Sequence, residues 1–464
     1  MTIIFVDISK LRAMLAKLHA RLGDFWWYSL MLFCACRAAD VLNAFVGLWL
    51  VPKYVDPSEL GAVQPLTQFA NFLAIPVAAF ANTFRNELTR LSIGKEFGKL
   101  KTLMRGVFAA TAVFLFLAII VARFLLPAFL ERIRIVEGSL GLVIIAASFV
   151  GAVAPIYSNA LQALKKFKAQ SLLSIVGAPV RLIAMLIAMP FRAITGYFVG
   201  QASVPVFNIA ASVLSLRKEL SVPAEPYWTR ETVKKFSSYF AIFLSSGLVC
   251  GIYALVETMV LRQRLPDLDS AGFYMASRFS EISCFLSTTL TFTIFPIAAE
   301  MTARGECVRP LILKAWAATI GFSALVAFPF FIVGEPLLSI LPHGELYACY
   351  WWVVPWQIAI STLVALNGIF ITTEISAFRF GFLKWMIPFD IAYPTVMLIV
   401  TGHNYFTGII PSSWSIFLDT HNIKSLDTMM WWMTTIMTLK IIVCSAIIIR
   451  MPKHWQPPTN QNTH

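Results

Sequence analysis

Twelve long apolar runs divide this sequence, at roughly 28–51, 62–84, 106–130, 138–160, 171–191, 194–216, 236–261, 271–299, 313–341, 348–373, 380–401 and 428–449. Each is about as long as the ~20 apolar residues a helix needs to cross a hydrocarbon core. Backbone polar groups in lipid must find partners within the spanning structure, so helices or closed barrels are the only solutions, and runs of this length specify helices. Composition agrees, with 58% of the 464 residues hydrophobic and only 13% charged, against about 25% charged in soluble domains. An ordinary soluble domain, a disordered chain and a disulfide-rich scaffold are excluded. Seven cysteines (Cys34, Cys36, Cys250, Cys284, Cys307, Cys349 and Cys444) sit mostly in apolar runs. They read as small hydrophobes, with no disulfide and no metal site.

The net charge of +13 is a loop property. With the N-terminus inside, 24 of the 37 lysines and arginines fall on one side of the twelve runs, 7 on the other and 6 within them. The positive-inside rule then puts both termini in the cytoplasm and explains the basic balance without nucleic acid. Residues 1–25 read as an amphipathic interfacial helix, with Ile8, Leu11, Leu15, Leu18 and Leu22 at helical spacing and Lys10, Lys17 and Arg21 between them. The longest inner connection, 217–235, divides residues 26–216 (spans 1–6) from 236–450 (spans 7–12), and 451–464 form a cytoplasmic tail. A shift of 211 residues lays Gly61 on Gly272, Phe84 on Phe295 and Gly94 on Gly305. Each half repeats a span, an acidic outer turn, a polar span and a basic inner turn. Even numbers of spans per half make the repeats parallel. The expected fold is an all-α integral membrane protein of about twelve transmembrane helices in two parallel six-helix lobes.

The segments VPKYVDPSELGAVQPLTQFANF and LRQRLPDLDSAGFYMASRFSEI, each followed by a basic loop (RLSIGKEFGKLK; EMTARGECVRPLILK), carry a family resemblance. They resemble the polysaccharide flippases of the multidrug/oligosaccharidyl-lipid/polysaccharide exporter superfamily. In the second copy the matching residues are Asp269, Ala271, Gly272, Tyr274, Phe295 and Pro296. The resemblance covers roughly residues 25–340, and beyond that only hydropathy agrees. It implies a V of two lobes open alternately to each face. It also implies a central cationic cavity for an undecaprenyl-diphosphate-linked glycan in a bacterial cytoplasmic membrane, with other polysaccharide-assembly proteins as further partners.

Charge within hydrocarbon costs about 2.5–3.5 kcal/mol on insertion scales, so each embedded charge is a functional candidate. The second run carries Gln64, Gln68, Asn71 and Asn82 and the eighth Arg278 and Glu281, which suits helices facing a wet cavity rather than lipid. Arg37 and Asp40 stand three apart on the first span, and Arg278 and Glu281 repeat that spacing on the eighth. An arginine paired with a carboxylate is cheaper to bury, and its planar fork can exchange that partner for a diphosphate. The alternative is a structural ion pair that sets packing alone. Arg181, beside Gly177 and Pro179, has no carboxylate within its own turn. It reads either as a third diphosphate ligand or as an arginine satisfied by backbone carbonyls. Glu257 and Asp390 are the candidates for coupling to a proton or sodium gradient, because an embedded carboxylate can exchange a proton or hold a cation. Trp26–Trp27, Trp351–Trp352 and Trp431–Trp432 lie at span ends as an interfacial belt. No phosphate-cradling loop or metal-ligand motif is present, so no catalytic residue, metal or cofactor is expected. A glycan polymerase or ligase would carry a larger charged outer loop than the longest here, 402–427, and a drug or cation extruder would favour acidic cavity residues.

Overall fold

The computed structural model describes residues 37–135, 138–164, 166–376, 381, 382, 384–393, 395 and 426–450. The expected amphipathic helix at 1–25, the connection over 402–425 and the tail at 451–464 lie outside the described residues. Helix α1 is described from residue 37, runs through a π-helical turn at Val46–Leu50 and ends with Val51–Tyr54. There follow α2 (Pro57–Leu60), α3 (Val63–Ile93), α4 (Phe97–Arg132), α5 (Gly138–Ala163), α6 (Phe167–Ala188) and α7 (Ala193–Ser215). After the linker come α8 (Arg230–Arg264), α9 (Asp267–Ala303), α10 (Arg309–Ser339), α11 (Gly344–Tyr347), α12 (Val353–Ser376), α13 (384–393) and α14 (Leu426–Ile449). No strand occurs among the described residues.

Among the described residues, seven helical stretches are long and apolar enough to cross a membrane by themselves, lying in α2–α3, α4, α5, α7, α10, α12 and α14. Helix α9, with 37 residues, reaches about 55 Å at ~1.5 Å per residue. Elsewhere large side chains face outward, as with Phe124 (76% exposed) and Phe331 (67%). Apolar surface on that scale is what lipid covers.

Within the first half α3 packs on α5, α5 on α7, and α4 on both α3 and α5. The same pattern recurs as α9 on α12, α12 on α14, and α10 on both α9 and α12. Four apolar clusters are buried, two mainly in each half at either end of its helices, and one of those in the first half also takes in Ala271, Tyr274, Met275 and Tyr347. The basic turns repeat in detail. Lys95 N–H donates to Ser92 O and Glu96 N–H to Leu91 O, as Gly305 N–H does to Thr302 O and Glu306 N–H to Met301 O. Lys95 (φ 55°) and Gly305 (φ 73°) are the left-handed residues. At this turn the structural equivalence is therefore Lys95 with Gly305, one residue off the sequence match with Gly94.

At the end opposite these basic turns, the halves are joined by Arg262, whose side chain is 1% exposed. Its Nε donates to Ile133 O at 3.1 Å, one Nη to Ser58 O at 2.9 Å and the other to Asp267 Oδ1 at 2.9 Å. Arg134 donates to the same Asp267 oxygen at 2.7 Å. We call this group the clamp. Nearby, Asp56 caps α2 by accepting from Ser58 N–H at 2.8 Å, and the Ser58 hydroxyl and N–H hold its carboxyl below the ordinary carboxylate value. At the basic end the linker folds back on α4. Lys101 donates to Val222 O, Thr102 to Glu225 O, and Trp228 lies against Gly106 where any Cβ would clash at 2.7 Å.

Candidate substrate cleft

Helix α9 organises the cleft, because its residues at i, i+3, i+4 and i+7 point one way and those a third of a turn round point another. One face carries Arg278, Glu281 and Phe285. Arg278 pairs with Glu281 at 2.7 Å, and its guanidinium lies 5.0 Å over the Tyr274 ring. Opposite it α1 makes its π-helical turn, where a Cβ on Gly47 would come within 2.7 Å of Arg278 Cδ, and Tyr274 donates to Gly47 O. A π-turn opens the helix locally, and glycine there gives Arg278 its room. Two turns further along α9, Arg37 donates to Phe285 O at 2.6 Å and pairs with Asp40 at 3.0 Å.

Arg181 reaches the same place from α6. Its charged and ionisable neighbours are Tyr197 of α7 and Glu281, Arg278 and Tyr274 of α9. Its Nε is buried without a hydrogen-bond partner among the described residues, as is that of Arg278. Arg181 and Arg278 thus share one neighbourhood across the two halves, with Glu281 (46% exposed) as the carboxylate beside them. Arg37 meets the same helix lower down through Phe285.

The other face of α9 borders a cavity of about 530 Å³. Gln64 and Gln68 of α3, Glu257 and Thr258 of α8, Cys284, Ser287 and Thr291 of α9, and Gln357 and Ser361 of α12 supply its polar groups. Glu257 is buried in this wall and accepts from the Tyr393 hydroxyl at 3.2 Å. None of the three arginines lines this cavity, and Glu257 is the one charged residue among the described ones that does. Asp390 lies apart from it, forming an ion pair with Lys440 of α14, both largely buried. Gln64 and Gln68 stand where the polarity of their run places them, against a cavity. The α9 hydroxyls and Gln357 escape sequence reasoning as a site, although Ser277, Ser280, Cys284, Ser287 and Thr291 recur at helical spacing on a span otherwise expected to be apolar. Among the described residues no group of three histidines, cysteines or carboxylates is placed to hold a metal ion.

Buried charge at a cleft between helix sets, apolar outer faces and repeated neighbour relations define an all-α membrane protein with a transporter fold. No family model and no curated sequence matches the chain. Solved structures do. The MATE multidrug transporter DinF-BH aligns over 92% of this chain and 95% of its own, with a TM-score of 0.61 and 13% identity. An inward-facing multidrug resistance MATE family transporter aligns over 89% and 94%, with a TM-score of 0.60 and 12% identity. The lipid II flippase MurJ, in an inward closed conformation, aligns over 91% and 99%, with a TM-score of 0.56 and 14% identity. The chain has the fold of the MOP-superfamily transporters.

Proposed function

We propose that this protein flips a polyprenyl-diphosphate-linked oligosaccharide across the bacterial cytoplasmic membrane by alternating access, for cell-surface polysaccharide synthesis. The observation that carries the reading is the electrostatic proximity of Arg181, from the first half, to the Arg278–Glu281 pair of the second, whose carboxylate is accessible. Two arginines with unpartnered Nε groups form an anion site that is only partly neutralised. A diphosphate can displace Glu281 and accept bidentate bonds, which are about twice as strong as neutral ones. Arg37 extends the positive path along α9. Glu257, in the cavity wall, is the coupling carboxylate in this reading. Asp390 is less suited, because its charge is already answered by Lys440.

The test is surface glycan and protein level in three variants. Arg278→Ala should abolish transport at normal protein level. Arg278→Lys should transport poorly, because it keeps charge but loses the fork. Apolar replacement of Arg278 and Glu281 together should fold, since neither charge is left unpaired, yet not transport. Full transport in that double variant would make the pair structural and sink the reading. A second reading, a cation extruder, is favoured by the acidic charge of the cavity. It requires drug efflux that falls with Glu257→Gln and is indifferent to Arg278.

A further inference from the structure

The cavity wall is mainly hydrogen-bond accepting. Its hydroxyls have already committed their protons: Ser287 donates to Cys284 O at 2.9 Å, Thr291 to Ser287 O at 2.8 Å, Thr258 to Ala254 O at 3.0 Å and Ser361 to the Ser280 hydroxyl at 3.0 Å. What they present to the cavity is therefore oxygen lone pairs. Glu257 adds a carboxylate. Gln357 is 6% exposed, and its buried Oε1 has no partner among the described residues. A buried acceptor left without a donor is destabilising, so the position is suited to a ligand that brings a donor. Ser277 donates to Tyr274 O at 2.7 Å and lies 3.0 Å from the side-chain amide of Gln64.

We propose that this cavity holds a sugar unit without an acidic substituent, neutral or amine-bearing, while the arginine face of α9 takes the anionic linker. The proposal rests on the flippase reading and adds to it the chemistry of the glycan. A pyranose offers many hydroxyl donors and a few acceptors, which matches the wall. A uronate or phosphorylated sugar would set a second negative charge beside Glu257 in a site of low dielectric, where like charges repel strongly. Helix α9 then separates the two parts of one substrate, with anion on one side and polyol on the other.

Cys284 lines the cavity as a thiol outside any disulfide and reports occupancy. The full chain in nanodiscs is treated with N-ethylmaleimide, and labelling of the Cys284 peptide is followed by mass spectrometry with cellobiose, the deacetylated chitosan disaccharide, digalacturonate or tetraethylammonium present. Cellobiose and the amine disaccharide should slow labelling, the amine more so, and digalacturonate should not. Gln357→Leu should weaken protection by both about fivefold, as loss of one hydrogen bond predicts, and Glu257→Gln should remove only the advantage of the amine. Protection by digalacturonate equal to that by cellobiose overturns the proposal alone. Protection by tetraethylammonium and by no sugar overturns it together with the flippase reading. Absence of protection by every probe also overturns the proposal, and since this comparison uses the unaltered chain it does not depend on the variants folding.

Discussion

Arg262 shows what a single residue can hold in place. Its five N–H donors lie in one plane, and here they reach the carbonyls of two segments of the first half and a carboxylate of the second. The proposed alternating access would require this end to open, which would make the clamp a barrier to that step. Arg262→Ala leaves the buried Ile133 carbonyl unpaired, at about 1–3 kcal/mol, and removes one of the two charges facing Asp267. A membrane-impermeant thiol reagent added from the clamp side should then reach Cys284 faster than in the parent chain. Arg262→Lys should behave similarly, because one ammonium cannot span three acceptors. Unchanged labelling in both would show that the clamp does not control access. In sequence Arg262, Arg134 and Asp267 read only as charges of outer turns, because partners 129 and 204 residues away leave no local pattern. Arg278 and Glu281 were legible because their partnership is one turn long, whereas Tyr393 as the partner of Glu257 and Lys440 as that of Asp390 were not.

Among the elements, the two basic turns make a natural experiment in backbone strain. Both place one residue in the left-handed region, but one half uses Gly305 and the other Lys95. A side chain there costs about 1–2 kcal/mol, so Lys95→Gly should raise the thermal midpoint and Gly305→Lys should lower it, measured by unfolding in detergent. The linker makes a pH-dependent contact of its own. Burial alone would raise the Glu219 carboxyl, but the Lys166 ammonium 2.8 Å away holds it below its ordinary 4.5. A lowered carboxyl contributes stability that is complete above 4.5 and lost as pH falls through the lower folded value. Proteolysis within 217–229 should therefore accelerate below about pH 4, and Glu219→Gln should show the fast rate at neutral pH. The helices themselves were legible from hydropathy, α8 and α9 among them as the runs 236–261 and 271–299.

For the whole molecule, the charge asymmetry predicts an orientation that the packing of helices alone does not. Ser221 of the linker and Glu345 of α11 lie at opposite ends and are exposed. With the basic end cytoplasmic, Glu345→Cys should be labelled on intact cells and Ser221→Cys only in inverted vesicles. The reverse pattern would overturn the orientation. The repeat was visible as three aligned residues, and the partners of α3 recur as those of α9. The division of α9 into an arginine face and an acceptor face was not visible, because it depends on which helices lie against each side.

The clamp also has a genetic consequence. Two of the three acceptors bound by Arg262 are main-chain oxygens, of Ser58 and Ile133, and every amino acid supplies such an oxygen. Selection can exchange the side chains at 58 and 133 without touching the acceptors, whereas the donor exists only while position 262 encodes arginine. A saturation library scored for surface glycan should therefore tolerate polar replacements of Ser58 freely and almost none of Arg262, with drift concentrated on one partner of an interaction to which both contribute.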